Sequence, residues 1–389
     1  MTHPLIRAIE LIAVAGTIGS LVYYALCIWS AVAFLRRRRG ADKNATQALP
    51  VSILKPLKGV DPQMFECLRS HCLQNYPADY EIIFGVNDAG DPAIELVKKL
   101  QAEFPSREIR LIVCKENLGS NIKVSNLVQM LPHAGFDLLV VNDSDIQVDP
   151  EYLRKVSAPL ADADVGLVTC LYRGTAYDSL SSRLESLGIS TDFCAGVLVA
   201  QQLEGISFGL GSTLAFRRRD LQTIGGFESL VDYLADDYQL GNRIARLGLK
   251  VELADTVVET HLPGYTIRGF VDHQMRWART LRESRFWGYA GMGITFGVGW
   301  SALTVLASGL AGWSWGLLAA TWGMRAVAAL AVGKWVLRDS QVGRRLALIP
   351  LRDLIAAGVW LFSFSGHTVK WRGELFRLHD GKLIRTTPR

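Results

Sequence analysis

Hydrophobic positions along the chain follow two patterns. In the first, apolar runs are too long for a strand or a core helix. Residues 11–35 carry no charge and exceed the ~20 residues that cross a hydrocarbon layer. Residues 286–324 are also uncharged and too long for one helix, and a division near Ala311-Gly312 gives two spans, 289–310 and 313–337. A later uncharged run, 354–366, has thirteen residues, a length that suits an in-plane or re-entrant segment better than a crossing.

In the second pattern, short apolar runs rich in β-branched residues alternate with helical stretches. Runs at 50–54, 80–86, 109–113, 138–141 and 165–170 predict strands buried on both faces of a sheet. Helices are expected at 64–74, from Pro92 to about Phe104, up to about Leu131, and at 238–247, where Gly248 ends the last. Small residues at 209–216 lead into a further strand. Residues 195–199 are apolar, but Gln201, Gln202 and Glu204 interrupt them before a span is complete. Alternation with short connections points to an α/β fold with a doubly wound, mostly parallel sheet. The expected organisation is an anchor with a basic stop at 1–40, an α/β domain at 46–262, an amphipathic helix at 263–288, two spans within 289–337, and a re-entrant segment and tail at 346–389.

Charge orients this arrangement. Arg36 to Arg39 follow the first apolar run directly, and because Lys and Arg stay cytoplasmic, the N-terminus is expected outside and the next domain inside. A cleaved signal would have a shorter apolar region, basic residues before it and a small-residue cleavage site after it, so an uncleaved anchor is the expectation. Lys334, Arg338, Arg344 and Arg345, and the basic tail from Lys370 to Arg389, are likewise placed inside. The net charge is +5, and 49% apolar residues with mean hydropathy +0.19 fit a membrane protein. The charge is assigned to membrane-facing arginines, since no nucleic-acid-binding motif is present. Six cysteines without Cys-x-x-C spacing read as reduced structural thiols.

Candidate chemistry gathers where strands end. Parallel α/β sheets bind ligands at the carboxyl ends of their strands. The 138–141 strand stops at Asn142-Asp143-Ser144-Asp145, where Asp143 and Asp145 offer hard oxygen ligands suited to Mg²⁺ or Mn²⁺ carrying phosphates. Lys55 and Asp61 follow the first strand, Asp88 ends the second, and Lys123 lies in a polar loop. Asp91 before Pro92 reads as a helix cap. Of Asp236 and Asp237, one can cap the following helix, leaving the second ionised in the positive field of the helix start and able to accept a proton. In the helix 273–285, arginines at 276, 279, 282 and 285 oppose Val271, Met275, Ala278 and Leu281, which suits either an interfacial helix or neutralisation of a leaving pyrophosphate. Arg325 lies within the third apolar segment. A guanidinium there costs at least ~2.5 kcal/mol, so it either snorkels to the headgroups or pairs with the nearest acid at that depth, Asp353; the pair is the expectation.

The segments Lys55-Pro-Leu-Lys-Gly-Val-Asp-Pro62, Asp91-Pro-Ala-Ile94, Asp143-Ser-Asp145, Asp236-Asp-Tyr238 and x-x-Arg276-Trp277 stand in the order and spacing of the ceramide glucosyltransferase family. The resemblance covers about 51–277, with an echo at Trp371-Arg372-Gly373, and is greatest to the bacterial hopanoid-biosynthesis-associated glycosyltransferases. It implies a GT-A fold, a UDP-sugar donor, Mg²⁺ or Mn²⁺, and inversion at the anomeric carbon. The implied reaction moves one N-acetylglucosamine or glucose to a lipid hydroxyl, that of a hopanoid such as bacteriohopanetetrol, at the bacterial inner membrane with the catalytic domain cytoplasmic. A ceramide acceptor is the alternative. A processive polysaccharide synthase would want more spans for a polymer channel, and a membrane scaffold would have no need of the acidic set. The resemblance places the family's first aspartate on Asp91, although Asp88 holds the strand end, its second motif on Asp143 with Asp145 completing a metal pair, and its base on Asp237. Arg276 would add charge at the leaving group, Trp277 would line the acceptor entry, and Lys55, Asp61, Asp88 and Lys123 would hold uridine and phosphates, with Asp91, Asp236 and His273 as further substrate contacts. His273 stands where the family has Gln or Arg.

Overall fold

Strands β1 (Val51–Pro56), β2 (Tyr80–Val86) and β4 (Leu138–Val141) are buried along their whole length, as the continuous apolar runs require of strands covered on both faces. Adjacent residues serve opposite layers. Ile53, Ile82 and Val140 pack with Leu68, Val97 and Tyr152 on one face, whereas Leu54, Ile83 and Val141 pack with Val124, Leu127 and Ile244 on the other. The computed structural model describes residues 4–40, 48–371 and 374–385. They form two units, one comprising Arg38–Tyr177, Gly205–Pro263 and Leu375–Arg389, the other Met1–Arg37, Asp178–Glu204 and Gly264–Glu374.

The first unit is built on one sheet. With β3 (Glu108–Val113), β5 (Ile146–Gln147), β6 (Val165–Thr175), β7 (Leu214–Arg217) and β8 (Lys250–His261), the strand order is β3-β2-β1-β4-β7-β6-β8-β5. Strands β1 to β4 are mutually parallel, β7 runs antiparallel to both β4 and β6, and β6 and β8 are parallel. The doubly wound parallel half is therefore as expected, and the far half is mixed. Strand β8 has no counterpart in the apolar-run reading, because Glu252, Asp255, Thr256, Glu259 and Thr260 interrupt it. It holds its place as a long partner of β6.

The second unit is helical. By length and composition, Pro4–Arg38, Gly312–Val336 and Leu346–Ser363 can each cross a membrane, and Phe286–Thr295 with Gly297–Ala307 form a pair bent by 54° that can count as a fourth span. The bend falls between the expected limits of 289–310 and has a visible cause. Backbone groups freed at the break are met from the first helix: Ser20 donates to Ile294 O at 2.6 Å, Tyr24 donates to Thr295 O at 2.9 Å and accepts from Gly297 N at 3.1 Å. The last helix corrects the length on which the in-plane reading of 354–366 rested. It starts earlier, and takes in Arg352 and Asp353, because both charges have partners inside the unit.

Those partners include the expected one. Arg325 donates from Nε to Asp353 Oδ2 at 3.1 Å and from Nη2 to Oδ1 at 2.9 Å, a bidentate pair with side chains 4% and 7% exposed. Asp192 is a second, unforeseen carboxylate on the same guanidinium. It is carried there by a π-helical turn, Ile189–Phe193, between the helices Leu180–Gly188 and Cys194–Leu203.

The 273–285 stretch belongs to a longer helix, Ile267–Ser284, and its buried face is not the apolar stripe expected. Phe270, Gln274, Ala278 and Arg282 face inward, whereas Val271 and Leu281 are exposed. Arg279 donates to Ser365 O and Thr368 O, and Arg282 to Ser363 O and Gly366 O. Two of this helix's arginines thus hold the carbonyl end of the Ile349–Ser363 helix, where free carbonyls and the helix dipole favour cations. All six cysteines are buried, and none forms a disulfide.

Candidate active site at the carboxyl ends of the strands

The parallel strands deliver their following loops to one edge, and Asn142, the residue after β4, anchors that edge. Its buried amide donates to Tyr152 Oη at 2.9 Å and Ser212 O at 2.7 Å, fixing where the next residues turn. Asp143 then emerges half-buried, and Lys123 meets it. The ammonium lies 2.8 Å from Asp143 Oδ1 and 3.0 Å from Asp236 Oδ2, so one cation joins acids from two separate segments. Burial opposes that charge, but Asp143 and Asp236 outweigh it and hold the Lys123 pKa well above its ordinary value.

Asp237 completes the group. At Gly211 an added Cβ would stand 2.9 Å from Asp143 Oδ2 and 3.2 Å from Asp237 Oδ2, so the two carboxylates flank a space kept open by a missing side chain. Burial, and then the charge of Asp236 beside it, pushes Asp237 up to about 6. Asp236 is tied back by Lys123 and by Asn121 Nδ2 at 3.3 Å. Of the adjacent acids, Asp236 is the one bound by the lysine, and Asp237 faces the space left at Gly211.

Asp145 accepts from Thr260 Oγ1 at 2.6 Å at the end of β8, and burial together with the Asp143 charge pushes it up to about 6. Asp143 and Asp145 are two hard carboxylates that repel one another, a donor set that suits a divalent cation, which commonly keeps waters and substrate phosphates as its other ligands. Among the described residues no group of three or more His, Cys, Asp or Glu stands close enough to hold a metal without such outside ligands.

Lys55 corrects the expectation. It is fully buried; its Nζ donates to the Asp143 carbonyl at 3.1 Å and lies 3.3 Å from His71 Nε2, bracing the acidic turn from beneath. Burial pulls its pKa down to about 8. Asp91 receives Gly59 N at 3.0 Å and Ala93 N at 2.9 Å, and so joins the loop after β1 to the start of the next helix. Asp88 is exposed and accepts from Gly90 N, which leaves it accessible as the strand-end acid, and Asp61 is exposed on the neighbouring loop. His273, Arg276 and Trp277 lie in the helical unit on Ile267–Ser284.

Sequence reasoning missed the strut that orders the acidic loop. The hairpin Glu374–His379 and Lys382–Arg385 docks on residues 232–234, with Leu383 N donating to Asp232 O at 2.7 Å and Leu234 N to Gly381 O at 3.3 Å. Tyr233 is capped by Lys382 and Arg243 at 5.5 and 5.2 Å from its ring centre. The short alternation of buried Phe376, Leu378 and Leu383 with exposed Arg377 and Lys382 was the available signal, obscured by the basic charges around it. The Trp371-Arg372-Gly373 echo falls partly outside the described residues.

Comparison with known proteins agrees with this geometry. The chain is 25% identical over 272 residues to ceramide glucosyltransferase 3 of Caenorhabditis elegans, covering 69% of this chain and 58% of that protein. To the ceramide glucosyltransferase of Candida albicans it is 34% identical over 115 residues, 27% of this chain and 21% of that one. It thus spans little more than half of the first relative's length and about a fifth of the second's. In structure it resembles a mannosyltransferase from Pyrobaculum calidifontis solved with GDP-mannose and Mn²⁺, at TM-score 0.55 and 20% identity over 92% of this chain and 99% of that one, a likeness of GT-A fold. The description of glycosyl transferase family 21 matches residues 12–384, nearly the whole length, and the chain belongs to that family.

Proposed function

We propose that this is a membrane-bound, inverting glycosyltransferase that moves one sugar from a UDP-sugar to a lipid hydroxyl. The observation that carries the reading is the Lys123-bridged cluster of Asp143, Asp236 and Asp237 at the strand ends of a chain that also bears membrane-length helices. The lipid oxygen forms a bond to the anomeric carbon, the bond from that carbon to the β-phosphate oxygen breaks, UDP departs, and the hydroxyl proton passes to an Asp237 oxygen. Asp143 and Asp145 would hold Mg²⁺ or Mn²⁺, which when bound neutralises the diphosphate. Lys123 keeps Asp143 and Asp236 in register, and the family pattern assigns Asp61 and Asp88 to the nucleotide, Arg276 to the leaving group and Trp277 to the acceptor.

The acceptor we name is a polyhydroxylated hopanoid, on the resemblance of the ordered motifs; ceramide is the second reading, favoured by the curated relatives. Purified protein in nanodiscs, offered labelled UDP-N-acetylglucosamine or UDP-glucose with bacteriohopanetetrol or ceramide, is expected to form a monoglycosylated hopanoid. Product from ceramide alone would replace the first acceptor with the second. No product with any pair would overturn the function.

Removal of metal is expected to abolish transfer. Asp145→Asn should weaken Mn²⁺ binding, read by electron paramagnetic resonance, while the far-UV spectrum stays unchanged. Full turnover in EDTA would contradict the assignment.

The topology follows from parity. The hairpin 374–385 docks on the sheet unit through residues 232–234, which supports a chain that leaves that unit at Pro263 and returns to it on the same membrane face, crossing an even number of times. Lys334, Arg338, Arg344 and Arg345 favour the cytoplasm for the loop before Leu346. The bent pair and Gly312–Val336 are then the two crossings, and Leu346–Ser363 lies without crossing. A cysteine placed at Gly343 should be modified only after permeabilisation of cells. Labelling from outside would exchange the roles of the first and last segments.

A further inference from the structure

Buried polar atoms in folded proteins nearly always have partners, so those without them ask for a ligand or water. In the helical unit three residues that carry such atoms, Glu185, His273 and Arg352, are linked to one another through their neighbours. Glu185, on the Leu180–Gly188 helix, is 1% exposed, and neither carboxylate oxygen receives a hydrogen bond. His273 Nδ1 stands 2.8 Å from Oε1, at ion-pair distance but without hydrogen-bond alignment. Arg352 is 8% exposed. It spends Nη2 on Gln274 Oε1 at 3.1 Å, with Asp192 at 3.7 Å, and its Nε and Nη1 have no acceptor.

These groups share one helix face. The Arg352 guanidinium lies on the backbone of Gly188, one turn from Glu185, where an added Cβ would stand 2.4 Å from Nε and Nη2. His273 is flanked by the Tyr265 ring, stacked at 5.5 Å, and by Trp277 at 5.0 Å. The arrangement therefore presents an unfilled acceptor, an unfilled donor edge and aromatic surface inside a unit of membrane helices.

We propose that Glu185, His273 and Arg352 form a subsite for the hydroxyl groups of a neutral lipid head. The Glu185 carboxylate accepts from one hydroxyl, Nη1 of Arg352 donates to the oxygen of another, and Tyr265 and Trp277 cover the carbon skeleton beside them. An anionic head is disfavoured, since it would be set against Glu185 as well as Arg352. This deepens the lipid-acceptor reading and rests on it.

The test measures binding of tritiated bacteriohopanetetrol, of ceramide and of a hydroxyl-free hopanoid to the full chain in nanodiscs. Glu185→Gln should weaken binding of the hydroxylated probes by about tenfold or more, with UDP affinity on the same samples retained. Gly188→Ala, which moves the guanidinium but keeps every charge, should weaken it as well and so carries the test should Glu185→Gln fail to fold. Binding of the hydroxyl-free lipid should be indifferent to both. Unchanged binding of hydroxylated lipid in folded variants, with wild type active, would overturn the subsite alone. Failure of wild type to bind or glycosylate any hydroxylated lipid would overturn the subsite and the functional reading together.

Discussion

Asp237→Asn is expected to lower kcat by about 10³-fold, within the 10²–10⁴ range that a positioned base contributes, and to leave donor affinity unchanged. The substitution keeps size and an oxygen able to accept from Tyr238 N, as Asp237 Oδ1 does at 2.7 Å, but removes the capacity to take a proton. Asp236→Asn should behave differently. Asp236 is held by Lys123 and Asn121, so its loss frees the cation that positions Asp143 and should raise KM along with lowering kcat. The pH profile separates them further. Burial and Asp236 raise Asp237 to about 6, and the base works only when ionised, so kcat/KM of the wild type should fall as pH drops through about 6. Removing the Asp236 charge should move that limb to lower pH. A limb that stays in place in Asp236→Asn, or a normal rate in Asp237→Asn, would assign the proton to another group.

The second large effect lies in the helical unit. Arg325→Met should destabilise the folded protein by about 3–5 kcal/mol, the range for breaking a buried pair, because Asp353 loses its bidentate partner and Asp192 the guanidinium that joins it to Asp353, with only Arg352, 3.7 Å from Asp192, left near them. Arg325→Asp should be worse still, since it sets three carboxylates together. Exchange of the two charges at 325 and 353 should recover part of that loss and not all, because Asp192 stays where a guanidinium at 325 is required. Thermal unfolding in detergent reads the series. Strictly additive single losses would mean that the 325 and 353 side chains are not coupled in the membrane.

Some of this molecule is written in local pattern and some is not. Continuous apolar runs identified β1, β2 and β4, and the acids after β4 stand at the strand ends as expected, because a parallel sheet leaves them no other edge. The cost of a buried guanidinium was enough to pair Arg325 with Asp353. Asp192 was missed since an α-helical period carried through 180–203 does not anticipate the extra residue that a π turn inserts. Strand β8 was missed since its polar positions alternate with buried ones, a pattern that an apolar-run search overlooks. Lys55 looked like a phosphate contact since a lysine after a strand usually points to solvent, and only tertiary packing shows it buried under Asp143. The partners of Arg279 and Arg282 were not legible since they are carbonyls more than 80 residues away in the chain.

The central claim is that a base at Asp237 drives one inverting transfer onto a lipid. It is tested most directly by isolating the lipid-extractable product formed from an α-linked UDP-sugar and determining its mass and anomeric configuration. The account predicts a single added sugar in β linkage, absent with Asp237→Asn. A ladder of polymer, an α-linked product, or label released only as free sugar would contradict it.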